Sequence, residues 1–157
     1  MGGIVPPSRK QRTHGLPIQN AIIPPTAIIP MLQHRGVPAD PIVIPGERVR
    51  EGMIVGNGSA AGSAHVHASI PGVVRTVSEL TLPDGRSTRA VTIDMEGEFD
   101  QLGKRPDEQP WQSLPLARIR EAIQSAGLVG MGTDDQPLHE LLERDGCETL
   151  IINGCES

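Results

Sequence analysis

Between residues 37 and 96 no apolar run reaches helical length before Pro, Gly or Asp-Gly interrupts it, and this punctuation limits what the chain can fold into. "PIVI" is a four-residue run. "PGERVREG" places Gly46 and Gly52 where turns belong. "MIVG" follows, and "AHVHASI" alternates, with Val66, Ala68 and Ile70 on one face and His65, His67 and Ser69 on the other. "PGVVRTV" is a strand behind a Pro-Gly turn. "LPDGRS" is a hairpin signal, because Asp-Gly tolerates positive φ. "TRAVTIDM" is its return strand. The spacing predicts five to seven short strands arranged as a small sandwich or barrel.

Composition agrees. The chain has 157 residues, with 15 Pro and 18 Gly. Together these make about a fifth of it, below the share typical of disordered chains. A chain of this length buries roughly 68–70% of its unfolded surface on folding. With one Phe, one Trp and no Tyr, that core must be built of Ile, Val, Leu and Ala.

Charge narrows the function. The formal charge is −5, and the longest basic cluster is Arg9-Lys10-Gln11-Arg12. Nucleic-acid binding wants a basic face, often with stacking aromatics, and neither is present. Apolar runs fall far short of the roughly 18 residues of a membrane span, and no charged-then-apolar leader opens the sequence. A soluble protein, or one peripheral to a membrane through a partner, is expected. Cys147 and Cys155 are too few for a metal cluster by themselves, and reduced thiols are the plain expectation.

The flanks read differently. Residues 1–26 form a Pro-rich arm, with Pro6, Pro7, Pro17, Pro24 and Pro25 excluding an ordinary helix. Its "NAII", and the "TAII" that follows, are each able to add an edge strand. Residues 27–100 hold the strand-rich domain, and residues 101–113 read as a polar linker. From residue 114 the period becomes helical: Leu116, Ile119, Ile123 and Ala126 fall on one stripe. Ser113 is placed to cap the helix, Pro115 suits its first turn and Gly127 can close it. A second short helix is expected at 137–144, with Leu138, Leu141 and Leu142 inward, and "ETLIING" reads as a buried strand. The fold class is mainly β with an α+β tail, the tail being the opening of an α/β domain too short to close a sheet.

Two likenesses converge on these residues. "PGERVREGMIVG" followed by "HASIPGVVRTV" resembles the barrel-sandwich hybrid of biotinyl and lipoyl domains. In order along the chain, "GGIVPP", "IPMLQHRGVPADPIVIPGERVREGMIVG", "VHASIPGVV", "AGLVGMG" and "TLIING" resemble the N-terminal part of the C subunit of the Rnf electron-transport complex. That resemblance spans nearly the whole chain. It implies a barrel-sandwich hybrid leading into residues 114–157 as the truncated start of a flavin/NADH-binding domain, and a peripheral subunit on the cytoplasmic side of the bacterial inner membrane. It implies partners among the other subunits of that complex, and electron transfer between NADH and ferredoxin coupled to ion transport. FMN/NADH and two [4Fe–4S] clusters are the implied cofactors. The family's glycine-rich loop corresponds to "GMGTDDQP", which gives Gly130, Gly132 and Pro137 as cofactor-binding positions, and "INGCES" adds Asn153 and Glu156.

The departures are as informative. No Cys-x-x-Cys occurs, so no cluster is assigned to this chain, and Ser157 stands where the family has a cysteine. Thr133, Asp134 and Asp135 replace glycine surface in the loop, and a carboxylate beside a phosphate repels it by ~1 kcal/mol at 4 Å even in bulk water. Carrier chemistry needs an exposed amine on a hairpin, yet the only lysines are Lys10 and Lys104, both outside the barrel.

Other groups weigh toward plain roles. His65 and His67, two apart, have the spacing to share a metal with His34 or His14, but no third ligand is defined, so surface or hairpin packing is the simpler reading. Cys147 and Cys155 flank a predicted buried strand and read as ordinary small side chains. Asp134-Asp135 reads as a solvated pair ahead of a helix start rather than a cation site. No Ser/His/Asp or Cys/His context marks a hydrolase. The expectation is a complex subunit that is not catalytic alone, with a docking module lacking cofactor as the alternative.

Overall fold

The computed structural model of the chain describes residues 10–99, 110–130, 135–143 and 149. Where the sequence alternates the backbone is extended, and where Gly interrupts it turns. Seven strands form among the described residues: β1 Thr26–Pro30, β2 Asp40–Pro41, β3 Arg48–Val49, β4 Ile54–Asn57, β5 Val66–His67, β6 Gly72–Thr81 and β7 Ser87–Met95. Gly46 and Gly85 take φ of 88° and 85°, a region that side chains on Cβ disfavour. In the "LPDGRS" hairpin the Leu82 N–H donates to the Arg86 carbonyl at 2.8 Å. The Asp84 carboxylate accepts the Arg86 N–H at 3.0 Å, which locks the turn from its side chain as well.

The strands make two antiparallel sheets, one in the order β1-β7-β6-β3 and one in the order β2-β4-β5. β6 and β7 pair from Gly72↔Met95 to Thr81↔Ser87, with a bulge between Val74 and Thr76 that bends the ribbon. A Cβ on Gly72 would lie 1.9 Å from the Asp94 carbonyl oxygen, so only glycine lets the two backbones meet there. β1 adds to the outer edge of β7 in the register Ile29↔Val91.

The inner faces share one core. Ile29, Val49, Val74, Val91 and Ile93 enter it from the larger sheet, and Val55 and Val66 from the smaller. Met31, Ala39, Val43, Ala68 and Ile70 fill the space from the connections. Met31, Val55, Val91 and Ile93 are wholly removed from solvent, each contributing about 1.5–3 kcal/mol of burial. The aromatic poverty of the sequence is reflected here: Phe99 packs at the margin of the core, and Trp111 is exposed. This is a barrel-sandwich hybrid of small β-branched side chains.

Several sequence expectations are modified. β6 and β7 run to 10 and 9 residues, because their outer halves continue as a ribbon after the core ends; beyond Val74 no residue of β6 is buried. "TAII" becomes the edge strand β1, but "NAII" forms no strand, and Ile22 is 95% exposed. The first helix, α1, spans Leu116–Ser125, and its N-cap is Pro115, not Ser113. The Ser113 hydroxyl instead donates to the Pro110 carbonyl at 2.8 Å inside a 3-10 turn at Trp111–Ser113. Gly127, at φ 63°, does end the helix, its N–H donating to the Gln124 carbonyl. On the expected stripe Ile119 and Ile123 are half-buried, while Leu116 and Ala126 are exposed. The second helix, α2, is only Leu138–Leu141. Leu142 faces solvent, and His139 takes the buried place. The strand expected at "ETLIING", except for the exposed Thr149, lies outside the described residues, as do Cys147, Cys155 and Lys104.

Candidate functional site

The connection from β4 (Ile54–Asn57) to β5 (Val66–His67) is residues 58–65. Its sequence is Gly-Ser-Ala-Ala-Gly-Ser-Ala-His, and it is folded down onto the barrel. The Gly58 N–H donates to His65 Nδ1 at 3.1 Å and closes the base of the loop. The Ser63 N–H donates to the Ala60 carbonyl at 3.0 Å, and Ser63 is fully buried. The Val37 N–H donates to the Gly62 carbonyl at 2.8 Å, tying the loop to the chain that enters β2. A Cβ on Gly36 would sit 1.8 Å from that carbonyl oxygen, so the approach requires glycine. Lys10 lies elsewhere, in an exposed 3-10 turn at Lys10–Arg12.

The helical segment docks on this loop. The Gly62 N–H donates to the Glu140 carboxylate of α2. From β5, His67 Nε2–H donates to the Ser125 carbonyl at the end of α1 at 2.9 Å. That contact makes His67 the Nε2-H form and satisfies a carbonyl that the helix end leaves open. Gly127 lies so close to β5 that a Cβ would meet the His65 carbonyl oxygen at 2.3 Å. The Arg35 N–H donates to the Asp135 carbonyl at 3.2 Å, with the side chains 3.9 Å apart. Within the segment, the Arg120 guanidinium donates to the Leu142 carbonyl at 2.6 Å and ties α1 to the end of α2.

Between the helices lies the loop read as cofactor-binding. Gly130 and Pro137 are brought together: its flanks pair through a Val129↔Pro137 bridge, the Gly130 N–H donates to the Gln136 carbonyl, and the Leu138 N–H donates to the Leu128 carbonyl, both at 2.9 Å. Gly132, Asn153 and Glu156, with Thr133 and Asp134, lie outside the described residues. Asp135, at φ 41°, is turned toward Arg35 and stands two residues ahead of the α2 N-cap, Pro137. A phosphate cradle needs free N–H groups converging on an anion. In the described part of this loop the Gly130 N–H is already bonded to a carbonyl, Pro137 has no N–H, and the Asp135 side chain faces Arg35. The middle of the loop, residues 131–134, lies outside the described residues.

The histidines are dispersed in role. His65 accepts from Gly58, His67 donates to Ser125, His14 is exposed, and His34 is buried with its Nδ1 accepting the Gly36 N–H at 2.8 Å. Among the described residues no group of three His, Cys, Asp or Glu is placed to hold a metal ion. Burial pushes the His34 imidazole below its ordinary value; Glu140 and Asp135 oppose the shift and Arg86 adds to it. Sequence reading missed Gly62, Ser63, His139 and Glu140. No pattern signals a carboxylate that pairs with a backbone N–H far away in sequence, although two glycines within one short connection, Gly58 and Gly62, hint at close backbone approach.

The family description "RnfC Barrel sandwich hybrid domain" matches residues 1–98. Relatives align over 99% of the chain. One is the C subunit of the proton-translocating ferredoxin:NAD(+) oxidoreductase complex of Clostridium ljungdahlii, 31% identical. Another is the Na(+)-translocating counterpart of Acetobacterium woodii, 33% identical. A third is the C subunit of the ion-translocating oxidoreductase complex of Pseudomonas aeruginosa, also 33% identical. The chain spans 35%, 36% and 20% of their respective lengths. Among the described residues no helix is long and apolar enough to cross a membrane.

Proposed function

The chain belongs to the family of the RnfC barrel sandwich hybrid domain, and from that premise we propose that it is an RnfC-like component of a membrane-associated, Rnf-type electron-transport complex in which the barrel is a docking scaffold. The whole activity, electron exchange between NADH and ferredoxin coupled to ion movement, belongs in this reading to the assembled complex. The other subunits are the partners, and the chain sits peripherally on the cytoplasmic face of the membrane. Residues 1–26 are its arm, 27–100 its barrel, 101–113 a linker and 114–157 the start of a flavin/NADH-type domain.

The observation that carries the scaffold role is the β4–β5 loop. This loop has no lysine and uses its Gly62 N–H to hold Glu140. A backbone donor inside a folded-down loop is a rigid seat, because its position is fixed by the Val37–Gly62 and Gly58–His65 bonds rather than by rotamers. The barrel therefore keeps the compact shape of carrier domains and uses this loop as a support for the next segment. Iron–sulfur clusters find no cysteine motif in this chain, and no step is assigned to them here.

A second reading has support in the loop between the helices. Gly130, Gly132, Pro137, Asn153 and Glu156 are the residues that the sequence resemblance assigns to the cofactor, which supports a flavin- or NADH-handling chain. Titration with FMN and with NADH, followed by flavin fluorescence and by quenching of Trp111, separates the two. The scaffold reading expects no saturation up to about 100 μM from a chain that melts cooperatively. Saturable micromolar binding would reverse the order of the readings.

A further inference from the structure

His34 is 5% exposed, and its ring is held in one tautomer. Because Nδ1 accepts the Gly36 N–H, the proton of the neutral ring sits on Nε2, which is buried without a partner. From that acceptor a series of hydrogen bonds leads to the helices. Gly36 donates to His34, its neighbour Val37 donates to the Gly62 carbonyl, and the Gly62 N–H donates to Glu140 of α2. Each link is short-range and runs through backbone, so a displacement at Gly36 is transmitted to Gly62.

We propose that His34 is an acid-sensitive latch: neutral, it fixes the Gly36–Val37 turn and so the seat of Glu140, and protonated, it lets the helical segment come away from the barrel. The chemistry is that an imidazolium has two N–H donors and no acceptor. Protonation at Nδ1 sets that N–H against the Gly36 N–H at 2.8 Å, and the turn must move.

The charged groups facing the ring come from three elements. Arg86 of the β6–β7 turn donates to the His34 carbonyl at 3.5 Å. Asp135 comes from the loop before α2, where Arg35 also reaches it, and Glu140 from α2 itself. Burial outweighs the two carboxylates, so the folded ring binds its proton less readily than the unfolded one. The sign follows. Stability from the neutral ring is fully present above the ordinary histidine value of about 6.5, and it is lost as pH falls through the lower folded value. Once charged, the ring attracts Glu140 and Asp135, which opposes release, but the cost of burying the charge outweighs both. The latch depends on no flavin, nucleotide or partner, so it is tested apart from the proposed function.

The test is amide hydrogen exchange on the whole 157-residue chain at pH 7.5 and pH 5, corrected for the intrinsic rate. Protection in residues 116–141 should fall on the order of tenfold more than in β6 and β7. In His34→Asn the side-chain oxygen takes the place of Nδ1 as acceptor for the Gly36 N–H but does not titrate, and the ratio between the two regions should hold to within about twofold. Equal loss in both regions of the wild type, or the same selective loss in His34→Asn, overturns the latch. Should that variant not fold, the wild type still decides by NMR. His34 Nδ1 must be unprotonated at pH 7.5, and its titration midpoint must coincide with the loss of protection; midpoints separated by about a pH unit or more overturn it as well.

Discussion

Met31, Val55, Val91 and Ile93 of the barrel are wholly removed from solvent, whereas α1 contains no buried residue. The barrel is held by a shared apolar core across two sheets. The helical segment buries Pro137 and His139 and otherwise meets the barrel through a few polar bonds: Glu140 to Gly62, Ser125 to His67, Asp135 to Arg35. A core built by hydrophobic burial is cooperative, since its side chains pack against one another. A segment pinned at separate polar points opens locally. The barrel is therefore the body that defines position, and the helices are what it positions. The largest test of this is Ile93→Ala. Truncation in a filled core should cost about 2–5 kcal/mol, and urea melts should show the barrel and helices lost together. Helices that survive the loss of the barrel would break the comparison.

The next effect concentrates at the boundary. In Gly36→Ala the added methyl would meet the Gly62 carbonyl oxygen at 1.8 Å and the His34 ring at 2.7 Å. The carbonyl is backbone and the ring is buried, so neither yields easily, and a cost of about 1–3 kcal/mol is expected, with exchange protection in 116–141 lost before that in β6–β7. Gly46→Ala is the control, because at Gly46 nothing lies within 4 Å of the added atom. There only the positive φ matters, at roughly 1–2 kcal/mol, and the helices should keep their protection relative to the barrel. Equal selectivity in both variants would mean that the Gly36–Gly62 contact does not hold the segment.

The two regions also differ in how far the sequence revealed them. Period-2 alternation named the buried face of β5, Val66 with Ala68 and Ile70, and Asp-Gly named the β6–β7 hairpin, because these signals are local: a residue's neighbours in sequence set its face and its turn. Ser113 failed as a cap because the residue that fixes the helix entry is Pro115, whose ring sets φ and supplies no N–H. Leu142 was misplaced because the α2 stripe assumed a helix of eight residues; the four observed turn His139 inward instead. "NAII" resembles "TAII" closely, yet only the latter forms a strand, paired with β7 with Ile29 opposite Val91; among the described residues the outer edge of β1 stays unpaired, and neither segment's own pattern distinguishes the two. The junction was least legible. Glu140 bonds a backbone N–H 78 residues away, and nothing in either segment's own pattern encodes that meeting.

A smaller effect tests the seat itself. Glu140→Ala removes the acceptor for the Gly62 N–H without touching the core. A hydrogen bond to a charged group contributes about 1.5–3 kcal/mol when buried, and this one is only part-buried, so a loss of about 1 kcal/mol is expected. It should appear as faster amide exchange in α2 and at Gly62, with the urea midpoint of β6–β7 unchanged. A shift of the whole barrel transition would merge the two regions into one cooperative unit.

The smallest effect belongs to the barrel's exterior and asks whether its surface charges matter at all beside its core. Asp94 is held below the ordinary carboxylate range first by its hydrogen bond from Arg75, at 2.7 Å, with Thr26 adding a second donor. Asp84 is lowered first by the Arg86 N–H and then by its guanidinium. For both, the folded group gives up its proton more readily than the unfolded one. The contribution is present above the ordinary value of 3.8 and is lost as pH falls through the lower folded values. Both carboxylates reach solvent, which screens such pairs to little net worth. Between about pH 5 and pH 2.5 the barrel should lose slightly more thermal stability in the wild type than in Asp94→Asn. The carboxamide oxygen still accepts from Thr26, its NH2 replaces the oxygen that Arg75 Nε reaches, and it has no charge to lose. If the two curves coincide, the bond joining β1 to β6 and β7 through Thr26, Arg75 and Asp94 is decoration on a barrel fixed by burial alone. A difference as large as that of the core truncation would instead make the outer face of β1, β6 and β7 a second source of its stability.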